Sequence, residues 1–186
     1  MSLRDSITKA TYRLNVVQKR LEDSRLRMDH KYKTLFTKCV RAQEAKDSAS
    51  AAIYANECAQ VKKMAQVILT SGLALEQVAL RLDTVKDFGD IAVAVLPTIA
   101  IVNTLKGRLA GVLPDVSLQL GQIGQTLDTL VLEVGQATGQ TWGAAPAGED
   151  AERILAEASE IAEQKLRDGF PPLVASEPAE RGVTHT

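Results

Sequence analysis

Aromatic residues and cysteines are scarce in this 186-residue chain, and each shortage excludes a class of protein. Phe, Trp and Tyr make up only 4% of the sequence, a composition typical of elongated helical proteins. The 2 cysteines stand in no CxxC or metal-type spacing, which excludes a disulfide scaffold and indicates a reducing compartment. There are only 2 histidines, and we find no P-loop, GxGxxG, HExxH or nucleophile elbow. We therefore expect no enzyme, no metal and no other cofactor.

Long apolar runs are also missing. The least charged stretch, residues 91–105, is interrupted by Pro97 and Asn103, and a membrane-spanning helix needs about 20 apolar residues. The first residues lack the apolar core of a signal peptide. We therefore expect a cytoplasmic protein in which no segment crosses a membrane.

Neither glycine nor proline occurs between Asp5 and Lys46, so a long uninterrupted helix is possible there. Small or apolar residues recur in this stretch every three or four positions, as in a coiled-coil helix. They are Leu14, Val17, Leu21, Ser24, Met28, Tyr32, Leu35, Cys39 and Ala42. A second stripe with the same spacing consists of Tyr54, Cys58, Val61, Ala65, Ile68, Gly72, Leu75, Ala79 and Leu82.

The two stripes match each other when the chain is folded back at about residue 48. A single register then places Leu14 opposite Leu82 and Cys39 opposite Cys58. One register that pairs every member of both stripes predicts a long antiparallel helical hairpin over about residues 5–86. The two cysteines are then interpreted as reduced thiols that fill the interhelical seam.

The rest of the chain is divided by its glycines and prolines. Residues 87–114 keep helical spacing but contain breakers, which predicts short helices joined by hinges. An amphipathic helix is expected over 116–134, which completes a helical core over 1–134. A flexible linker follows over 135–148, and then an acidic helix and a disordered tail over 149–186. The candidate hinge residues are Gly89, Pro97, Gly107 and Gly111.

Charge is distributed unevenly along the chain, although the net charge is −1. Residues 1–46 hold 12 Lys or Arg against 5 Asp or Glu, and residues 147–186 hold 4 against 9. Six cations of the first helix fall within an arc of about 40° beside the apolar stripe. They are Lys9, Arg13, Arg20, Arg27, Lys31 and Lys38. This basic stripe is either a solvated face or a surface that binds an anionic membrane. Binding to nucleic acid is not favoured, because neither a recognised motif nor aromatic interleaving supports it.

The second helix is unusually polar at residues 53–64, "IYANECAQVKKM". Its seam residues account for one face, and small alanines form a second face that another backbone could approach closely. We interpret the outward residues as a surface that contacts neighbouring subunits; a merely solvated face is the alternative. This polymer face comprises Ala52, Ala55, Asn56, Glu57, Ala59, Lys62 and Lys63.

A basic first helix paired with a second helix that carries "IYANECAQVKKM" resembles the ESCRT-III family. The segments "LRLDTVKDFGD" (80–90), "LAGVLPDV" (109–116) and "AERILAEASEIAEQKLRDGFPPL" (151–173) look like archaeal CdvB-type cell-division proteins. The resemblance covers roughly residues 10–173. We see no later sequence long enough for the winged-helix-like segment of some CdvB proteins, so a shorter paralogue is expected.

This resemblance implies a helical hairpin followed by shorter helices, in a subunit that polymerises into filaments on membranes. Such filaments, formed with further copies and paralogous subunits, constrict and sever membrane necks, and in archaea they complete cell division. The subunit would be peripheral on the inner face of the cell membrane at the division site. The hinge residues would allow a closed-to-open switch in which the tail helix folds back in the closed state.

The resemblance also implies that a AAA-type ATPase removes subunits by binding the C-terminal tail through its MIT domain. The tail departs from the family pattern, because its leucines are separated by alanines and its proline-rich part matches only in places. The residues that match are Leu155, Leu166, Pro172 and Leu173. Two routes are therefore open: the ATPase binds this tail directly, or a paralogous subunit recruits the ATPase.

Two further functions are compatible with a long helical hairpin that carries a basic face. One is a membrane-stress scaffold like phage-shock protein A, which would coat membranes rather than sever them. The second is a soluble coiled-coil adaptor, which would form a fixed small oligomer and show no dependence on lipid.

Overall fold

The computed structural model describes residues 2–143 and 145–170, and all regular structure in these ranges is helical. The predicted all-α, ESCRT-III-like class is confirmed. A 3₁₀ turn (Phe88–Asp90) and a π-helical turn (Ile91–Val95) lie between the second and third α-helices. The α-helices are α1 (Leu3–Glu44), α2 (Ser48–Leu82), α3 (Leu96–Leu109), α4 (Pro114–Thr138) and α5 (Ala145–Gly169).

Local sequence fixes the start of the first hairpin helix and the turn that follows it. At the start the Ser2 hydroxyl accepts a hydrogen bond from the Asp5 N–H (3.1 Å), and the Asp5 carboxylate accepts one from the Ser2 N–H (3.2 Å), which is a capping box. The chain turns at Lys46, whose φ of 57° is left-handed. Asp47 then caps α2 by accepting a hydrogen bond from the Ser50 N–H at 3.1 Å. Two helices joined by so short a turn run antiparallel.

The interhelical seam contains the two predicted stripes. Most of their members are buried; the half-buried exceptions are Met28, Leu35, Tyr54 and Gly72. Near the turn the Cys39 thiol donates a hydrogen bond to the Ala51 carbonyl at 3.5 Å. Burial, and secondarily the nearby Cys39, raises the pKa of the Cys58 thiol. The two cysteines are both buried and free, as the predicted seam requires.

The open end of the hairpin is covered by α3 and α4, and the main hydrophobic core lies there. Helices α3 and α4 approach each other closely: a Cβ added at Gly124 would lie 3.3 Å from the Asn103 Oδ1. The Ser117 hydroxyl also donates a hydrogen bond to the Lys106 carbonyl at 2.8 Å. The largest fully buried side chains of this pair are Ile101, Leu105, Leu109, Leu120, Ile123 and Leu127.

The segment between α4 and α5 is shorter than the composition of residues 135–148 suggests. Helix α4 continues to Thr138, and α5 already begins at Ala145. Helix α4 ends at Gly139, whose φ of 68° is the left-handed conformation that glycine adopts without strain at a helix C-terminus. The linker predicted from glycine content, 135–148, is therefore longer than the connection in the structure.

Trp142 lies in this connection and packs back on the main core. The returning chain passes over α4 at Gly135, where an added Cβ would lie 3.2 Å from the Gln140 carbonyl and 3.8 Å from the Trp142 ring. A side chain at position 135 would therefore require the Gln140 carbonyl to shift by a few tenths of an ångström.

Among the residues that the structure describes, one segment, Phe88–Leu109, meets the length and composition criteria for a membrane-spanning helix. The length argument against a spanning segment therefore does not hold, because the helical structure continues beyond 91–105 on both sides, from Phe88 to Leu109. Within its most apolar window, 44% of the residues are buried inside the protein. A core helix of a soluble protein satisfies the same criteria, so this is weak evidence for a spanning segment.

The four predicted hinge residues lie at the ends of elements or on an exposed helix face. Gly89 is in the 3₁₀ turn, and Gly111 is in the connection between α3 and α4. Pro97 is in the first turn of α3, directly after the π-helical turn. Gly107 is exposed within α3. Whether they act as hinges stays a prediction.

Candidate functional surfaces

The basic stripe of α1 is a largely exposed surface. Arg13 is half-buried, and the other five cations are all exposed. Arg13 lies against α4, where its Nη1 donates a long hydrogen bond to the Thr126 hydroxyl (3.5 Å). Lys9 and Arg13 also line a polar cleft of about 370 Å³ between α1 and α4. The stripe is therefore partly covered by α4 at its start and open from Arg20 onwards.

The stripe cations have few acidic neighbours. The ion pairs along α1 are Arg25–Glu22 (2.7 Å) and Lys33–Asp29 (3.0 Å), and both use cations outside the stripe. Within the described residues, no stripe cation forms an ion pair; Lys38 lies 6.0 Å from the centre of the Tyr54 ring. The positive charge of the stripe is thus available to an external anionic group.

The polymer face of α2 is accessible in this conformation. Ala55 and Lys62 are half-buried, and the other five residues are exposed. Ala51, one residue before this face, is buried against α1 instead. No element of the described chain covers the exposed alanines, so a neighbouring subunit could approach the backbone here. This contact stays a prediction.

The C-terminal end of α5 is held on the hairpin by apolar contacts. The Phe170 ring meets the Tyr32 ring edge-to-face, with centroids 4.6 Å apart. Leu166 joins them in a small hydrophobic cluster separate from the main core, together with Cys58 and Val61. Burial raises the pKa of the Tyr32 hydroxyl. These residues come from three segments of the chain, so the cluster is complete only when α5 lies on the hairpin.

The N-terminal end of α5 is held by charge. Asp150 accepts hydrogen bonds from Arg81 at the end of α2 and from Arg153 of α5. The hydrogen bond from Arg81 lowers the pKa of the Asp150 carboxyl. In the middle of the helix, the Gln66 amide donates a long hydrogen bond to Glu163 (3.5 Å). Helix α5 is therefore attached to the hairpin along most of its length.

This attachment decides the accessibility of the predicted ATPase-recruiting residues. Leu155 and Leu166 are only 7% and 4% exposed, because they belong to the face of α5 that packs on the rest of the protein. A partner cannot reach either side chain until α5 leaves this position. Pro172 and Leu173 lie outside the described residues.

A groove of about 470 Å³ lies between α1, α2 and the end of α5, and the sequence patterns did not reveal it. Leu21, Ile68 and Phe170 form part of its apolar floor, and Glu22 and Lys165 lie at its charged rim. Because the end of α5 is far from the other walls along the chain, no local periodicity indicates this groove.

A metal centre finds no support in the part of the chain that the structure describes. No group of three or more His, Cys, Asp or Glu side chains is placed to hold an ion there. The candidate functional surfaces are the basic stripe, the polymer face, the docked helix α5 and the groove beside the end of α5.

A long antiparallel hairpin, shorter helices packed at its open end and a helix folded back along it define an ESCRT-III-type protein. The chain is 40% identical over 174 residues to Cell division protein B1 of Sulfolobus acidocaldarius, which covers 94% of this chain and 81% of that protein. It is 34% identical over 171 residues to Cell division protein B of the same organism, covering 92% of this chain and 66% of that longer protein. The chain belongs to the archaeal cell division protein B (CdvB) family. No protein-family model and no solved structure matches it.

Proposed function

We propose that this chain is a filament subunit that assembles on anionic membranes and remodels, constricts or severs them during archaeal cell division. The observation that carries the proposal is the exposed basic stripe from Arg20 to Lys38, whose cations form no ion pair among the described residues. The names of the two relatives support the role in cell division. The basic stripe would lie on the lipid headgroups, where each cation contributes about 1 kcal/mol.

Under this proposal the chain is not itself an enzyme. It is cytoplasmic, peripheral on the inner face of the cell membrane at the division site, and works with further copies and paralogous subunits. A AAA-type ATPase with an MIT domain supplies the energy that removes subunits. Since Leu155 and Leu166 are buried, the ATPase binds α5 only after α5 has left the hairpin, or else it is recruited through a paralogue.

The first test is binding to vesicles that contain anionic lipid. Replacing Arg20, Arg27 and Lys31 together with alanine removes about 3 kcal/mol of attraction, so we expect binding on the order of 100-fold weaker at low salt. Co-sedimentation over a series of salt concentrations measures it. The three residues lie outside the hydrophobic core, so circular dichroism should show unchanged helix content.

A control variant with the same change in net charge separates the stripe from charge in general. Lys19, Lys33 and Arg41 are also exposed cations of α1, but they lie outside the stripe. Their triple replacement by alanine should weaken vesicle binding much less. Equal weakening by both triple variants would exclude the stripe as the membrane-binding surface. Strong binding without constriction or scission would favour the membrane-coating scaffold, and a fixed oligomer indifferent to lipid would favour the adaptor.

The second test addresses the polymer face. Ala59 is exposed in the single subunit, so Ala59→Trp should fold normally, yet the indole would hold a neighbouring backbone several ångström away. We expect filaments on anionic vesicles to disappear in electron micrographs while vesicle binding by single subunits is kept. Ala137→Trp, at an exposed alanine of α4, is the control. Normal filaments from Ala59→Trp would remove this face from the polymer contact.

A further inference from the structure

The outward side of α5 carries a row of glutamates, one of which, Glu163, also accepts the long hydrogen bond from Gln66 of α2. Glu152, Glu160 and Glu163 are exposed, and together with Glu149 they fall within an arc of about 80° on the helix. Two arginines lie in or beside the same arc and are already paired, Arg153 with Asp150 and Arg167 with Glu163 (3.9 Å). We call these four glutamates the acidic row.

The acidic row and the basic stripe cannot meet within one molecule in this conformation. The end of α5 lies beside Glu22, Arg25 and Asp29 of α1, across the groove between α1, α2 and α5. These residues lie on a different face of α1 from the stripe. The start of the stripe instead faces α4. Helix α5 and the stripe therefore lie on opposite sides of the hairpin.

The two charged rows are similar in length and share an interval of eleven residues. The exposed part of the stripe, Arg20 to Lys38, spans about 27 Å, and Glu149 to Glu163 spans about 21 Å. Arg20 and Lys31 are eleven residues apart, as are Glu149 and Glu160. Eleven residues make about three helical turns, so opposite charges on two facing helices could recur at the same interval.

We propose that the acidic row of one closed subunit binds the basic stripe of a second copy of this chain. Because the two rows are different surfaces of the same molecule, the contact is head-to-tail and leaves one row of each kind free at the ends. It consists of solvent-exposed ion pairs, which are individually weak, so the association is reversible and sensitive to salt.

This contact has a consequence for the proposed membrane binding, and that consequence alone rests on the proposed function. A stripe occupied by the acidic row of a neighbour is not available to lipid headgroups. The second copy and an anionic membrane therefore compete for the same cations. Closed subunits in solution are held in a reversible assembly that anionic lipid dissociates.

Two variants with complementary charge reversals test the contact in solution, without membranes. In the stripe-reversed variant Arg20, Arg27 and Lys31 become glutamate, and in the row-reversed variant Glu149, Glu152 and Glu160 become lysine. Sedimentation velocity at low salt should show that the wild-type chain associates, and that each variant alone sediments as a monomer. An equimolar mixture of the two variants should associate again, because each reversed surface then meets an opposite charge.

Matched measurements keep this result separate from the membrane proposal. The row-reversed variant should bind anionic vesicles at least as well as the wild type, whereas the stripe-reversed variant should not bind them. Association in the mixture without any vesicle binding by the wild type would uphold the contact and reject the membrane function. A monomeric wild-type chain at low salt, or a mixture that stays monomeric, would overturn the contact. So would unaltered association of either variant alone.

Discussion

Phe170→Ala is expected to release the last turns of α5 from the hairpin while the rest of the protein stays folded. The ring is 5% exposed and packs edge-to-face on Tyr32 in a cluster apart from the main core. Replacing a buried Phe by Ala costs about 3–5 kcal/mol. Because the earlier part of α5 keeps its own contacts, through Ile154 in the main core and Asp150 on Arg81, the cost falls on local opening rather than on global unfolding.

Amide hydrogen exchange measures this opening residue by residue. We expect exchange in the last two turns of α5 to be on the order of 100-fold faster, since about 3 kcal/mol corresponds to that factor. Ile161→Ala is the matched control, because this side chain lies on the same helix but is 48% exposed. Unchanged protection at the end of α5 would show that Phe170 does not hold the helix. If the proposed closed-to-open switch operates, the variant should also form filaments at lower protein concentration.

Leu75→Ala is expected to strongly destabilise the hairpin. Leu75 is fully buried in the seam and belongs to the main core. Shortening a buried Leu to Ala removes about 2–5 kcal/mol, through lost burial and the cavity that remains. For a chain of this size that corresponds to a melting temperature lower by about 10 °C.

Leu80→Ala supplies the comparison for Leu75→Ala. Leu80 lies five residues later on the same helix and is 64% exposed, so its replacement should change the free energy of unfolding by less than about 0.5 kcal/mol. Thermal unfolding followed by circular dichroism compares the two variants directly. Similar melting temperatures for both would contradict the assignment of Leu75 to the seam.

The sequence predicted the hairpin because the information for it is local and repeated. A stripe with a three-and-four spacing specifies which face of each helix is buried, and two such stripes joined by a short turn must face each other. Burial of Leu14, Leu21 and Leu82 follows directly from that pattern. The arc of cations on α1 was predicted for the same reason, since the angle between residues on a helix depends on sequence spacing alone.

The sequence did not predict the true ends of the connection between α4 and α5. The bounds 135–148 rested on glycine content, but Gly135 lies inside α4. The chain returns over this glycine and brings the Gln140 carbonyl and the Trp142 ring close to the helix. The sequence alone does not distinguish a glycine at a close helix contact from a glycine that gives the chain flexibility. Only the packing distinguishes the two.

By itself the sequence determined that this protein is a helical hairpin with a basic stripe, and its motifs indicated the family that the relatives then showed. Only the tertiary structure decided where α5 lies. Its contacts join residues far apart along the chain, such as Tyr32 with Phe170 and Arg81 with Asp150. Helical periodicity specifies that α5 has a buried face, but many helix surfaces could cover that face equally well. The choice depends on the fit of particular rings, charges and grooves brought together from distant segments, and that fit puts the acidic row and the basic stripe on opposite sides of the hairpin.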